Sequence, residues 1–119
     1  MSFQKHDSGK DRYDLIDHRF LRELAQVLTH GANKYGDSNW ASAEPAEGNK
    51  RYYSALMRHL ASWLDGNDTD EESGLPHLAH AACCLMFLRH YDREQGFFAE
   101  HDAAWLEALH GDASDQAAD

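Results

Sequence analysis

Apolar residues recur at helical spacing in three successive segments of the chain. In the first segment Phe20, Leu21, Leu24, Val27 and Leu28 repeat every three to four residues, which is typical of one face of an α-helix. The strict alternation of apolar and polar positions that marks a half-buried strand is absent. The hydrophobic pattern therefore predicts an all-α fold.

Polar residues and glycines mark the boundaries of the first predicted helix. Asp17 precedes the apolar positions and suits a helix N-cap. Gly31 and Gly36 follow the apolar positions and disfavour continuation of the helix. We therefore predict a loop from Asn33 to Gly48, which contains Pro45.

The second helix is predicted from about Asn49 to Asp65, and Gly66 is well placed to end it. Gly74 and Pro76 then open a third helix, because proline is favoured in a first helical turn. The loop between them makes these two helices antiparallel neighbours. The apolar positions of the second helix are Tyr52, Tyr53, Leu56, Leu60, Trp63 and Leu64.

The third helix is apolar almost all round from Ala79 to Leu88, which predicts a central, buried helix. Its core stripe is expected to be Leu75, Leu78, Ala82 and Leu85. Such a helix, flanked by two amphipathic ones, closes a core.

A short fourth helix is predicted over about Phe97 to Leu109. The fold class is therefore all-α, with three main helices and a short C-terminal helix. Residues 1–110 are expected to form a single helical domain, and residues 111–119 an acidic, disordered tail. Apolar edges left exposed by so few helices favour a homo-oligomer, a dimer or a tetramer.

Composition narrows the class of protein. The chain has 119 residues, 42% of them hydrophobic, which excludes a wholly disordered protein. Its net charge of −10 argues against a partner rich in phosphate backbone, so no nucleic acid is expected. No apolar run suits a membrane span, and the polar N-terminus suggests no signal peptide. The adjacent Cys83 and Cys84 are expected to be inert packing in a reducing compartment, so we expect a soluble, cytoplasmic protein.

Acidic residues and histidines concentrate around the predicted second loop. His77 and His80 lie three residues apart on one helix face, away from the predicted core stripe, and His59 lies on the preceding helix. Imidazoles beside the carboxylates of Asp70 and Glu72 suit a divalent metal. The alternative is structural: the histidines decorate a helix start or pack in the core, and the acids favour the helix dipole. The clustered acids are Asp65, Asp68, Asp70, Glu71 and Glu72.

The segment from Gly31 to Trp40 combines groups that suit a nucleotide. Tyr35 and Trp40 offer faces for base stacking, Lys34 offers a charge for phosphate, and Asn39 offers donor and acceptor edges. The alternative is an ordered loop whose aromatic side chains plug the core.

Three more cations are candidates for phosphate contacts, namely Lys10, Arg12 and Arg58. The alternative is that each is a solvated surface residue. The chain has neither a P-loop motif nor a glycine-rich dinucleotide motif, so these cations do not belong to a familiar phosphate cradle.

Three stretches, taken together, carry a family resemblance. Residues 5–15 read KHDSGKDRYDL, residues 31–40 read GANKYGDSNW, and residues 58–82 read RHLASWLDGNDTDEESGLPHLAHAA. In this order they resemble the phage dATP/dGTP diphosphohydrolases of the MazZ type. The resemblance extends over about residues 5–90.

This resemblance implies a MazG-like helical bundle and a pyrophosphohydrolase. It implies that dGTP is cleaved to dGMP and dATP to dAMP, with release of pyrophosphate. The dGMP would supply the synthesis of phage DNA that contains 2-aminoadenine, while dATP would be depleted. The place of action would be the host cytoplasm.

A metal-dependent site follows from the resemblance and the acid–histidine cluster together. The ion expected is Mg²⁺ or Mn²⁺ in preference to Zn²⁺. The MazG-type site is a set of carboxylates, whereas this chain has His77-x-x-His80 at the equivalent place, so a distant acid such as Glu23 stays open as a ligand. The assigned metal ligands are Asp70, Glu72, His77 and His80. The assigned catalytic residues are Glu72, His59, His77 and His80. The assigned substrate contacts are Lys10, Arg12, Lys34, Tyr35, Asn39, Trp40 and Arg58.

Two other functions stay open at this point. An acid–histidine metal site is also compatible with a phosphohydrolase that cleaves the triphosphate elsewhere. A non-catalytic helical interaction module with an incidental metal site is the other alternative. The products formed from the four dNTPs discriminate among these readings.

Overall fold

The computed structural model describes residues 2–94. Over that range the chain forms helix α1 (His18–Tyr35), helix α2 (Pro45–Leu64) and helix α3 (His77–Glu94). The described part contains no strand, so the predicted all-α fold with three main helices is confirmed. The predicted fourth helix and acidic tail lie outside the described residues. Two short 3-10 helices complete the elements, at Tyr13–Leu15 and at Asn39–Ser42.

Helix α1 begins where the sequence predicts, but it ends later than the predicted start of the following loop. The Asp17 side chain accepts a hydrogen bond from the backbone N–H of Arg19 at 2.9 Å, which confirms the N-cap. The helix continues through Gly31 and ends at Tyr35, so the loop predicted from Asn33 is wrong at its start. A single interior glycine costs only about 1 kcal/mol, which does not end a helix that packs along its length. Gly36, with φ of 100°, ends it instead.

Helix α2 begins one turn earlier than predicted. Pro45 occupies the first turn, where its missing N–H has no partner to lose, so the proline starts the helix rather than extending the loop. The predicted start at Asn49 is therefore wrong. At the other end the helix stops at Leu64, and Gly66 takes a positive φ of 96°, as predicted for the terminating glycine.

Helix α3 lies between the other two helices and packs against both. On one side Ala79 and Cys83 pack against Val27 of α1. On the other side Ala81 and Cys84 surround Leu56 of α2. The predicted central helix is therefore confirmed, and the residues that face its neighbours are mainly small.

The predicted core stripe is wrong at Leu78 and Leu85, whereas Leu75 packs against the cluster of Val27, as predicted. Leu78 and Leu85 lie on the exposed side of the helix, and Leu85 is 56% exposed. Hydrophobic periodicity favours large apolar residues such as Leu78 and Leu85. Two neighbouring helices instead approach α3 on its alanine and cysteine sides, where small side chains leave room for their residues.

Helices α2 and α3 are antiparallel, as predicted. Near the connecting loop His59 contacts His77, and at the far end Gly48 lies against the Tyr91 ring. Tyr91 is 1% exposed, and its hydroxyl donates to the backbone carbonyl of Trp40. This close crossing places the 39–42 turn against α3.

Large apolar side chains remain on the outer surface of the described residues. Tyr53, Leu64 and Leu85 are each more than half exposed. Within residues 2–94, no helix has both the length and the apolar character needed to cross a bilayer. The predicted homo-oligomer stays a prediction.

Candidate functional site

The acidic loop between α2 and α3 is fixed by backbone hydrogen bonds. The N–H of Asp70 donates to the carbonyl of Leu75 at 2.9 Å, and the N–H of His77 donates to the carbonyl of Asp68 at 2.9 Å. Gly74 turns the chain with a φ of 71° and donates to the Asp70 carbonyl. Asp70 is therefore held in a defined position at the start of α3.

Ser73 connects this loop to the histidines. Its backbone N–H donates to the Asp70 carboxylate at 3.0 Å, and its hydroxyl lies 2.7 Å from Nε2 of His80. The hydroxyl also accepts a hydrogen bond from the N–H of Leu75. One serine thus positions both Asp70 and His80.

The three histidines named from the sequence converge in the structure. Nδ1 of His59 lies 2.8 Å from Nδ1 of His77, so one ring donates a hydrogen bond to the other. The rings of His59 and His80 stack with centroids 4.6 Å apart. The predicted meeting of α2 and α3 histidines is confirmed.

His77 differs from the expectation in its burial. It was expected on a face away from the core, and it is instead 8% exposed. The reason is that α2 crosses α3 on that face, so His77 lies beneath His59. Truncation of His77 therefore affects packing as well as chemistry.

His59, Asp70 and His77 fit a metal ion. Each offers one ligand atom, and the three atoms lie within 4.8 Å of one another. Two imidazoles and a carboxylate suit a transition-metal ion such as Mn²⁺ better than Mg²⁺, which prefers an all-oxygen shell. The predicted ligand Asp70 and the predicted ligand His77 belong to this group, and His59 completes it.

The surroundings of this group favour a neutral His59 ring and an ionised Asp70 carboxylate. Burial, with His80 and His77 nearby, lowers the pKa of His59 to about 4, so its ring is neutral at pH 7. Burial also lowers the pKa of His80. Burial opposes ionisation of Asp70, but the Ser73 N–H and His80 outweigh it and hold the Asp70 pKa below its usual range. A neutral imidazole and an ionised carboxylate are the forms that bind metal.

A cavity of about 680 Å³ opens beside this group. That volume lies within the range of about 300–1,000 Å³ typical of small-molecule sites. His59, Asp70 and His80 line one side of it, while the segment from His30 to Trp40 lines another. Cys83 and Cys84 contribute to its wall.

Most of the predicted substrate contacts lie on this cavity. Lys34, Tyr35, Asn39, Trp40 and Arg58 all line it. The stretch that the sequence singled out and the histidine group therefore share one cavity.

Trp40 has a structural contact as well. Its ring stacks on Phe87 with centroids 4.4 Å apart, so it packs against α3 while it forms part of the wall. The packing that the alternative predicts is therefore confirmed for Trp40, and base stacking on its ring stays a prediction. Tyr35 is 63% exposed, and the Lys34 ammonium lies 5.1 Å from its ring centre.

Lys10 and Arg12 do not line the cavity. Lys10 is exposed, and Arg12 forms an exposed ion pair with Asp14 at 2.6 Å. Within residues 2–94 these two cations are solvated surface residues, which is the alternative that the sequence left open.

Glu72 contacts two side chains of α1. One carboxylate oxygen lies 2.6 Å from Nζ of Lys34, and the other lies 3.4 Å from Nε2 of His30. The Lys34 hydrogen bond, and then that of His30, lower the pKa of Glu72. Glu72 is therefore not part of the three-residue group that fits a metal.

Two residues of the site were missed from the sequence, His30 and Ser73. His30 precedes Lys34 by one helical turn, so this spacing along α1 could have placed both on one face. Ser73 carried no distinguishing signal, because its role depends on the local turn of the loop.

Burial disfavours the reactive thiolate form of the paired cysteines. Both are buried, and burial raises the pKa of each thiol to about 11. The predicted inert packing is consistent with this environment.

Comparison with known proteins matches the chain to one family. The family described as dATP/dGTP diphosphohydrolase, N-terminal, matches residues 2–101. A protein of Salmonella phage PMBT28 named dATP/dGTP diphosphohydrolase is 44% identical over 84 residues, which cover 71% of this chain. The aligned region spans 28% of the length of that relative. No solved structure matches the chain.

Proposed function

The chain belongs to the dATP/dGTP diphosphohydrolase family, in the part described as N-terminal, and from that membership we propose that it hydrolyses deoxypurine triphosphates. In this proposal dGTP gives dGMP and dATP gives dAMP, each with release of pyrophosphate. The observation that carries the proposal is one cavity, lined by His59 and Asp70 of the acid–histidine group, by two cations and by four aromatic residues.

The acid–histidine group is the proposed metal site. His59, Asp70 and His77 hold a divalent ion, with Mn²⁺ favoured over Mg²⁺ by the two imidazoles. A divalent ion supplies Lewis acidity, which shields phosphate charge and makes water easier to deprotonate. Because the two Nδ1 atoms of His59 and His77 share a hydrogen bond, an ion held between them would require the donor ring to carry its proton on Nε2 instead.

The remaining cavity residues bind and orient the substrate. Lys34 and Arg58 hold phosphate oxygens, and Tyr35, Asn39 and Trp40 contact the base and sugar. His80 lines the cavity, and the lowered pKa keeps its ring neutral near pH 7. A neutral ring is able to take a proton from the water that attacks the α-phosphorus.

The proposed products suggest a role in a phage-infected cell. The dGMP would supply the synthesis of 2-aminoadenine DNA, and loss of dATP would reduce the competing base. The phage relative supports this setting. An oligomeric, MazG-like arrangement acting in the host cytoplasm belongs to the same proposal.

The test is a product analysis on the full chain with each of the four dNTPs and either Mn²⁺ or Mg²⁺. We expect dGTP and dATP to be consumed in preference to dCTP and dTTP, with one pyrophosphate per monophosphate. Chelation by EDTA is expected to abolish turnover. Chromatography of the nucleotides, with a pyrophosphate assay, measures both products.

A matched pair of loop variants tests the metal site. Asp70→Asn removes a proposed ligand, whereas Asp68→Asn removes the same charge from an exposed position two residues away. We expect only Asp70→Asn to weaken Mn²⁺ binding, measured directly by electron paramagnetic resonance, and to reduce turnover. Equal Mn²⁺ affinity in both variants would contradict the assigned site.

Two results would replace the proposal with its alternatives. Orthophosphate or tripolyphosphate as the primary product would indicate a metal-dependent phosphohydrolase with another cleavage point. Absence of turnover with every dNTP and either ion would favour a non-catalytic interaction module.

A further inference from the structure

We propose that Glu72 occupies, in the nucleotide-free protein, the place beside Lys34 and His30 that a phosphate group takes when a triphosphate binds. Its carboxylate lies 2.6 Å from the Lys34 ammonium and 3.4 Å from the His30 ring. All three residues line the cavity. The carboxylate is thus an internal anion in a position built from two nitrogen donors.

The two donors come from one helix and the anion from another part of the chain. His30 and Lys34 lie one turn apart near the end of α1, while Glu72 belongs to the loop before α3. The contact therefore crosses the rim of the cavity. A phosphate that enters from solvent meets the same two donors from the cavity side.

Exchange of the carboxylate for a phosphate costs little. The side chains of Lys34 and Glu72 are 42% and 62% exposed, and an ion pair in that setting is weak. Lys34 keeps an anionic partner throughout, and a triphosphate brings more negative charge than one carboxylate. The released Glu72 is free to return to water.

The exchange leaves the proposed metal site in place. Asp70 lies two residues before Glu72, but its position depends on backbone bonds to Leu75 and Gly74 and on the Ser73 N–H. None of these bonds uses the Glu72 side chain. Glu72 therefore changes the affinity for the triphosphate and not the binding of the metal. This role depends on the proposed function only because that function names a triphosphate as the ligand.

The test uses inorganic tripolyphosphate as the probe, in EDTA at low salt, with binding measured by calorimetry on the full chain. Glu72→Gln removes the competing charge, and Lys34→Ala removes the cation. Asp37→Asn is the matched control, because Asp37 is an exposed carboxylate on the same cavity that forms no ion pair within residues 2–94. It reports the general effect of removing one negative charge.

We expect Glu72→Gln to bind tripolyphosphate about threefold more tightly than Asp37→Asn does. In the Lys34→Ala background the same substitution is expected to lose this advantage. Equal affinities for Glu72→Gln and Asp37→Asn, weaker binding by Glu72→Gln, or an advantage that persists without Lys34 would each overturn the inference. So would failure of the wild-type chain to bind the probe.

These outcomes are separable from those of the proposed function. Binding is measured without metal and without turnover, so a chain that hydrolyses no dNTP still reports on Glu72. Conversely, a chain that releases pyrophosphate from dGTP while Glu72→Gln behaves like Asp37→Asn supports the proposed function and rejects this role.

Discussion

Gly48→Ala is expected to destabilise the protein, because Gly48 of α2 lies directly against the Tyr91 ring of α3. A Cβ at this position would meet Cζ of Tyr91 and lie 2.6 Å from Cε2 and 2.9 Å from Cε1 of the same ring. Ordinary van der Waals contacts of a Cβ lie at 3.4–4 Å, so the ring or the helix has to move.

The size of the effect follows from how little the ring is free to move. Tyr91 is 1% exposed, and its hydroxyl is tied to the Trp40 carbonyl. Overpacking of this kind costs about 1–3 kcal/mol, and a site held on both sides lies toward the upper end. Alanine returns about 1 kcal/mol through helix propensity. The net loss is about 2 kcal/mol, which lowers the Tm by about 10 °C in a domain of this size.

Thermal and urea unfolding, followed by circular dichroism, measure the loss. The matched control is Gly31→Ala in the interior of α1, where a Cβ meets nothing within 4 Å. There the propensity gain is unopposed, so stability rises by up to about 1 kcal/mol. A Gly48→Ala variant as stable as Gly31→Ala would refute the close crossing of α2 and α3.

Two further variants and one chemical modification test the burial of His77 and of the paired cysteines. In EDTA, His77→Ala is expected to lower the Tm by several degrees more than His80→Ala does, because His77 is buried and hydrogen-bonded to His59. Equal decreases in Tm, measured by scanning calorimetry, would contradict the burial of His77. A thiol with a pKa of about 11 is only about a thousandth ionised at pH 8. Cys83 and Cys84 are therefore expected to resist iodoacetamide until urea unfolds the chain. In the folded protein they are expected to react as the pH approaches 11. Mass spectrometry counts the labels, and rapid labelling of the folded protein at pH 8 would show that the thiols are accessible.

Local signals in the sequence were sufficient for two of the helix ends. Asp17 capped α1 and Gly66 ended the second helix, as predicted, because caps and positive-φ glycines depend on their immediate neighbours. Pro45 was misread, because proline is compatible both with a loop and with a first helical turn. The sequence alone does not choose between these two uses.

The direction in which a helix faces its neighbours was harder to predict. The pattern favoured Leu78 and Leu85 as core residues of α3, whereas Ala79 and Cys83 contact α1. Hydrophobic periodicity weighs side-chain size, but close packing of a central helix favours small residues. This choice depends on where the partner helices lie.

The sequence predicted which residues meet at the candidate site better than it predicted what each of them contacts. His59, His77 and Asp70 were brought together by the antiparallel helices that the sequence indicated. The partner of Glu72 was not predictable, because Lys34 and Glu72 are 38 residues apart in sequence and meet only through the packing of α1 on α3.

In the proposed reaction, water attacks the α-phosphorus of a deoxypurine triphosphate in this cavity. Turnover of dGTP with Mn²⁺ in water enriched in ¹⁸O tests it most directly, with mass spectrometry of both products. We expect one ¹⁸O atom in dGMP and none in pyrophosphate. Label in the pyrophosphate, with dGMP unlabelled, would place the attack on the β-phosphorus and contradict the claim.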